Sequence, residues 1–256
     1  MPHPFRIEET VEIEATPEEV WEALTIGQQL DGWWIGAPNQ VEPRLGGKVR
    51  QTFGGEVSES TITTWDPPHR FADEGTPGPD GVMHALEFTI EGRSGTTTVR
   101  FVHSGFLGDD WESEYEALTE GDAMYLHQLA EYVRFFRGRP VAVIEHFQPG
   151  LTERGAAVSI LRGALGLGDA VGLGDAVRLE LAELGAIEGS VDYVSAGMIG
   201  LRTGDALYRF AFIPVGGGIY MGHHVYRDDV DVEAVTAAWA KWLDRAVNAG
   251  QAASAG

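Results

Sequence analysis

Three titratable side chains stand where the residue pattern turns them toward an interior. Glu9 lies between Ile7 and Val11, in the inward register of an alternating strand over residues 5–15. His84 shares a face with Leu86, Phe88 and Ile90 on a later strand, and His103 alternates in step with Val99 and Phe101 on the next. A carboxylate and two imidazoles facing one interior could orient a polar ligand or exchange a proton with it. The plainer alternative is a bulge at Glu9, with the histidines satisfied locally at strand ends.

Nothing else in the chain adds a catalytic signature. There is no Gly-x-Ser-x-Gly elbow, no Walker loop and no HExxH or HxxxH pair. His223 and His224 are adjacent on a strand, so they point to opposite faces and cannot chelate one ion together. Asp109, Asp110, Glu112, Glu114 and Glu116 lack the glycine and spacing of a calcium loop and read as a solvated helix start. The six residues Gly166–Val171 are repeated as Gly172–Val177. That stretch follows a helix, whereas a dinucleotide loop follows a strand, so it reads as a slipped duplication forming a flexible loop. No catalytic residue, metal site or cofactor is assigned. The expectation is a binding protein more than an enzyme.

The bulk composition narrows the classes further. The chain has 256 residues, 43% of them hydrophobic, enough for a large core or two ordinary ones. It has no cysteine, which removes disulfides, thiolate metal sites and thiol catalysis. A net charge of −21 repels phosphate backbones and anionic lipid, so no nucleic-acid partner is expected. Neither a secretory leader nor a membrane span is visible, and a cytoplasmic location is the expectation.

The elements that must carry these residues can be read in order. The first strand is followed by Thr16-Pro17-Glu18-Glu19, a capping box that opens a short helix through Val20, Trp21 and Leu24. Residues 31–70 read as turns and short strands, with Thr61–Trp65 stopped by Asp66-Pro67-Pro68. Trp33 and Trp34 follow a glycine in a loop. On an extended chain the two rings cannot both point inward, so one is a candidate for closing a pocket mouth, with the equal alternative that both are packing residues under a loop. After Gly105 the period changes to helical, with Leu126, Leu129, Val133 and Phe136 in one stripe widened by Tyr125. Strand, helix, antiparallel strands and long helix make an α+β architecture.

Residues 5–138 resemble the START-like (SRPBCC) superfamily, in the branch related to the heat-shock-protein-90 ATPase activator. The resemblance is carried by Ala15–Thr25, the Trp33-Trp34 pair, Gly46–Arg50, Trp65–Phe71 and Thr97–Phe106, in that order. Asp122 departs from the pattern, since the family usually carries a tryptophan near the start of the last helix. The resemblance implies a helix-grip fold with an internal, largely apolar cavity between sheet and last helix. It also implies, as partners, a hydrophobic small molecule or lipid, or a chaperone or client protein. The candidate ligand-binding residues are Glu9, His84 and His103 with Trp33 and Trp34, together with Phe88, Phe101, Tyr125 and Leu129.

Residues 140–247 repeat the same element order more weakly and read as a divergent second START-like copy or a packed extension, with a small or closed cavity. Residues 248–256 read as a flexible tail.

Overall fold

The computed structural model describes residues 1–168, 170–214 and 216–254. The chain divides into two compact units, Met1–Arg139 and Pro140–Gly256.

In the first unit β1 (His3–Ile13) leads into α1 (Pro17–Thr25) and α2 (Gly27–Leu30). Then come β2 (Gln40–Val41), β3 (Lys48–Phe53), β4 (Glu56–Asp66), β5 (Arg70–Gly75), β6 (Met83–Arg93) and β7 (Thr96–Leu107), followed by the long helix α3 (Trp111–Phe135). The seven strands form one antiparallel sheet in the order β1-β7-β6-β5-β4-β3-β2. Its last strand in that order, β2, is only two residues long.

The α1 start forms as its sequence dictates. The Glu19 N–H donates to the Thr16 hydroxyl while the Thr16 N–H donates to the Glu19 carboxylate, with Pro17 in the first turn. Register then fixes which side chains share a face. Ile7 lies opposite His103 and Glu9 opposite Phe101, while on the other side of β7 Leu86 faces His103 and Phe88 faces Phe101. With side chains alternating at period two, these residues and His84 point to the same side. α3 packs on β1 and β7 and presents Asp122, Leu126, Leu129 and Val133 as a buried stripe. This is the helix-grip arrangement.

Of the two readings of the tryptophan pair, the structure follows packing under a loop. Residues 31–33 form a turn, so the alternation of an extended chain does not apply and both rings are buried. The Trp33 indole N–H donates to the Ala23 carbonyl at 2.9 Å, which makes it a packing residue of the α1 region and not a pocket mouth. The turn is closed by Gly36 at φ 68°, where a Cβ would stand 1.7 Å from the Thr52 carbonyl oxygen.

The second unit contains β8 (Ala142–Pro149), α4 (Arg154–Ala164), β9 (Ala176–Leu181) and β10 (Gly185–Val194). β11 (Met198–Arg202), β12 (Ala206–Ile213), β13 (Gly218–Val225) and α5 (Val232–Ser254) complete it. Its six antiparallel strands run β8-β13-β12-β11-β10-β9, so in both units the first strand pairs with the last and the rest follow in reverse chain order. α5 packs on β8 and β9, and α4 on β12 and α5. The edge strand β9 alternates strictly, burying Val177, Leu179 and Leu181 and exposing Arg178 and Glu180.

Two boundaries differ from the sequence reading. α5 runs on to Ser254, so most of the stretch expected as a flexible tail is helical, its alanines (Ala249, Ala252, Ala253) favouring continuation. In the repeated six-residue stretch, Asp169 lies outside the described residues, and Ala176 and Val177 open β9.

Candidate functional site

Three elements of the first unit meet in one chain of polar contacts. β7 supplies His103 and β6 supplies His84, one strand away and diagonal across the pair. α3 supplies Asp122, which occupies its buried stripe one turn ahead of Leu126. His103 Nδ1 lies 2.9 Å from Asp122 Oδ2, and His103 Nε2 lies 2.9 Å from His84 Nδ1. His103 and Asp122 are buried, whereas His84 is only partly so. The chain thus leads from a buried carboxylate to a less buried imidazole.

Charge is scarce around it and costly. Burial raises the Asp122 carboxyl, with the hydrogen bond and charge of His103 pulling the other way. Burial lowers His84 to about 4, and the neighbouring His103 adds to the effect, so His84 is neutral at pH 7. With Asp122 ionised, His103 must donate from Nδ1, which leaves its Nε2 to accept from His84 Nδ1. The lone pair at the end of the chain then sits on His84 Nε2. Such an arrangement can accept a hydrogen bond from a ligand, or a proton, while Asp122 stabilises any positive charge formed.

Asp73 extends the polar line. On β5 it faces Leu86 across the strand pair, placing it on the same side of the sheet as His84. It is buried, and burial pushes its carboxyl up to about 6 against a Ser60 hydrogen bond and the charge of His103. Glu9 lies on the same face but is not hydrogen-bonded to either histidine among the described residues. Partial burial raises its carboxyl, and the Asp122 charge adds to this.

Aromatic rings surround the chain. Phe5 meets His103 and His84 edge-on at 5.0 and 5.5 Å. Phe101 lies 6.2 Å from the His103 ring and 4.8 Å from Phe88. Trp34 contacts Tyr125 at 5.1 Å and Phe101 at 6.4 Å, and Trp33 reaches Phe88 at 6.5 Å. Leu129 is fully buried on α3. The candidate residues therefore form one aromatic cluster with His84 and His103, while Glu9 sits beside it.

The sequence reading missed Asp122 and Asp73 as members of the site. Asp122 carried a signal, being polar within the apolar stripe of α3. Asp73 did too, alternating in step with Phe71, but β5 was not recognised as a strand.

The second unit puts a histidine in the matching position, His223 of β13 opposite Ile144 of β8. There the residue above is Trp239, its ring 4.6 Å away, and burial drives His223 down to about 3. His223 Nδ1 accepts the Arg209 backbone N–H. The Arg209 guanidinium makes two bonds, of 2.9 and 2.7 Å, to the buried Asp192 carboxylate. A pocket of about 260 Å³ opens beside Tyr208 and Trp239.

Residues 14–134 match the family described as Activator of Hsp90 ATPase homolog 1-like protein. The resemblance read from the sequence therefore holds for the first unit. Among solved structures, the chain is similar to the Aha1 dimer from Colwellia psychrerythraea, at 22% identity and a TM-score of 0.45, covering 52% of this chain and 99% of that one. An HSP90 activator from Plasmodium falciparum matches at 18% identity and 0.41, over 50% and 96% of the two chains. The di-domain ARO/CYC BexL matches at 13% identity and 0.46, over 96% and 97%. No curated protein matches the chain. Among the described residues, no helix is long and apolar enough to cross a membrane.

Proposed function

We propose that the first unit binds a small, mostly apolar molecule carrying one polar group, without transforming it. The Asp122–His103–His84 chain carries this reading. Three polar side chains hydrogen-bonded in series among aromatic rings are costly to bury, and the series ends on the least buried member. A ligand hydroxyl or N–H donating to His84 Nε2 would complete it, and contact with Trp34, Phe101 and Tyr125 would supply most of the affinity.

The test is native mass spectrometry of the protein as purified, followed by imidazole ¹⁵N spectra before and after removal of any bound compound. A co-purifying compound whose removal shifts the His84 and His103 resonances is expected. Absence of any bound compound, together with no response of those resonances to a panel of planar phenols and amines, would sink the reading.

The family match favours one other reading, a co-chaperone contact through the first unit. With a net charge of −21, such a contact would meet a basic surface and weaken steeply with salt. A pull-down on an Hsp90-type chaperone at low salt decides it, and no retention there counts against it.

A further inference from the structure

Building on the ligand-binding reading above, we infer that the polar group of the first unit's ligand is a protonated amine, recognised by His84 and Asp73 together.

The placement comes from register. Asp73 of β5 lies opposite Leu86 of β6, and Leu86 lies opposite His103 of β7, so Asp73 and His103 stand at one level on either side of β6. His84, two residues before Leu86 on the same strand, is diagonal to both. Diagonal neighbours on one face are within reach of long side chains, and the 2.9 Å contact of His84 with His103 realises that reach on one flank. Asp73 is the counterpart on the other flank. Gly75, beside the His84 backbone on β5, puts no side chain between them.

The hydrogens on this face decide the chemistry. Its donors are spent: the Ser60 hydroxyl on Asp73, the His103 Nδ1–H on Asp122, and the His84 Nδ1–H on His103. What remains is acceptors, His84 Nε2 and the rest of the Asp73 carboxylate. An ammonium brings three N–H groups and can donate to both. A hydroxyl brings one and leaves the other unmet.

Charge points the same way. The inner face carries Glu9, Asp73 and Asp122, and among the described residues no lysine or arginine pairs with any of them. Eight of the ten lysines and arginines in residues 1–139 are held by glutamates instead. Arg93 is exposed at the β6–β7 turn, and Arg139 lies over the Phe136 ring. The imidazoles do not substitute for a cation, since His84 is neutral at pH 7. Asp73 is 6% exposed, and burial without a cation raises its carboxyl to about 6. An ammonium beside it would supply the missing charge.

The full chain is titrated with benzylamine and, separately, with benzyl alcohol, which has the same ring and one O–H in place of the ammonium. The solution holds about 0.5 M NaCl, so that the attraction of a net charge of −21 for any cation is screened beyond a few ångströms. At about pH 7.5 Asp73 is ionised, and binding is followed on the His84 and His103 imidazole ¹⁵N resonances. Benzylamine is expected to bind about tenfold more tightly, because hydrogen bonds between charged groups are the stronger ones. Asp73→Asn, which keeps the side-chain shape, should erase that preference and leave the benzyl alcohol affinity in place. Equal or tighter binding of benzyl alcohol to the unaltered protein overturns the inference, and needs no variant to fold. So does an undiminished amine preference in folded Asp73→Asn. In both cases a ligand still binds beside His84, and the ligand-binding reading stands. No response to either compound overturns the inference, and with no compound bound to the protein as purified that reading falls as well.

Discussion

Asp122 Oδ2 sits 2.9 Å from His103 Nδ1, joining helix α3 to strand β7 across the interior of the first unit. A buried carboxylate sets the tautomer of the imidazole it faces. At pH 7.5, His103 and His84 should both carry their proton on Nδ1, read from long-range ¹H–¹⁵N correlations. Asp122→Leu removes the acceptor, frees His103 to change tautomer and costs about 1–3 kcal/mol of stability. An Nε2-protonated His103 in the unaltered protein would contradict the arrangement.

The two shifted groups on the inner face work against each other as pH falls. Asp73 is raised to about 6 in the fold, so its contribution is fully present below its unfolded value near 3.8 and is lost as pH rises to 6. Ionising it in place costs on the order of 3 kcal/mol. His84 is lowered to about 4, so its contribution is present above 6.5 and is lost as pH falls toward 4. The windows overlap and the slopes are opposite. Asp73→Asn should therefore make stability fall with acid between pH 6.5 and 4, and His84→Gln should make it rise there. Urea midpoints at half-unit pH steps measure both, and parallel curves for the two variants would refute the cancellation.

Much of this face could be read from the residues, and the reason is periodicity. Glu9, His84 and His103 stand in alternating apolar runs, and the β1–β7–β6 register did bring their strands together. What alternation does not give is distance. His84 and His103 touch because they lie diagonally on neighbouring strands, whereas Glu9, opposite Phe101, has its carboxylate elsewhere. Asp122 was visible as an oddity in α3, but its partner depends on which helical turn crosses β7, a fact of tertiary packing. For the Trp33-Trp34 pair the sequence left pocket mouth and packing both open, because the path of a loop, here a turn over residues 31–33, is not written in alternation.

In the second unit, the Arg209–Asp192 pair is buried on both sides. Arg209→Met alone takes two charge-assisted hydrogen bonds from a buried carboxylate and should cost about 3–5 kcal/mol, while Arg209→Met with Asp192→Leu should recover most of it. Chemical denaturation of the three proteins gives the comparison. A double variant as unstable as the single would show that the pair is not the source of the loss.

Gly36→Ala should be among the most damaging single changes in the first unit. It adds a Cβ to a residue at φ 68° and drives it against the Thr52 carbonyl. A loss of roughly 3 kcal/mol or more is expected, seen as a lower thermal midpoint. A midpoint within a degree of the parent would mean that the turn relaxes freely.

The sheet rims carry a consequence for how copies of this chain behave when crowded. Open antiparallel sheets invite further strands from neighbouring molecules, the first step of ordered aggregation. Here one rim strand, β2, is two residues long and offers almost no template. Another, β9, turns Arg178 and Glu180 outward. β8 ends on Pro149, which has no N–H to give. With these three rims blunted, the eleven-residue β1, the fourth, is the edge at which a neighbouring copy would add a strand.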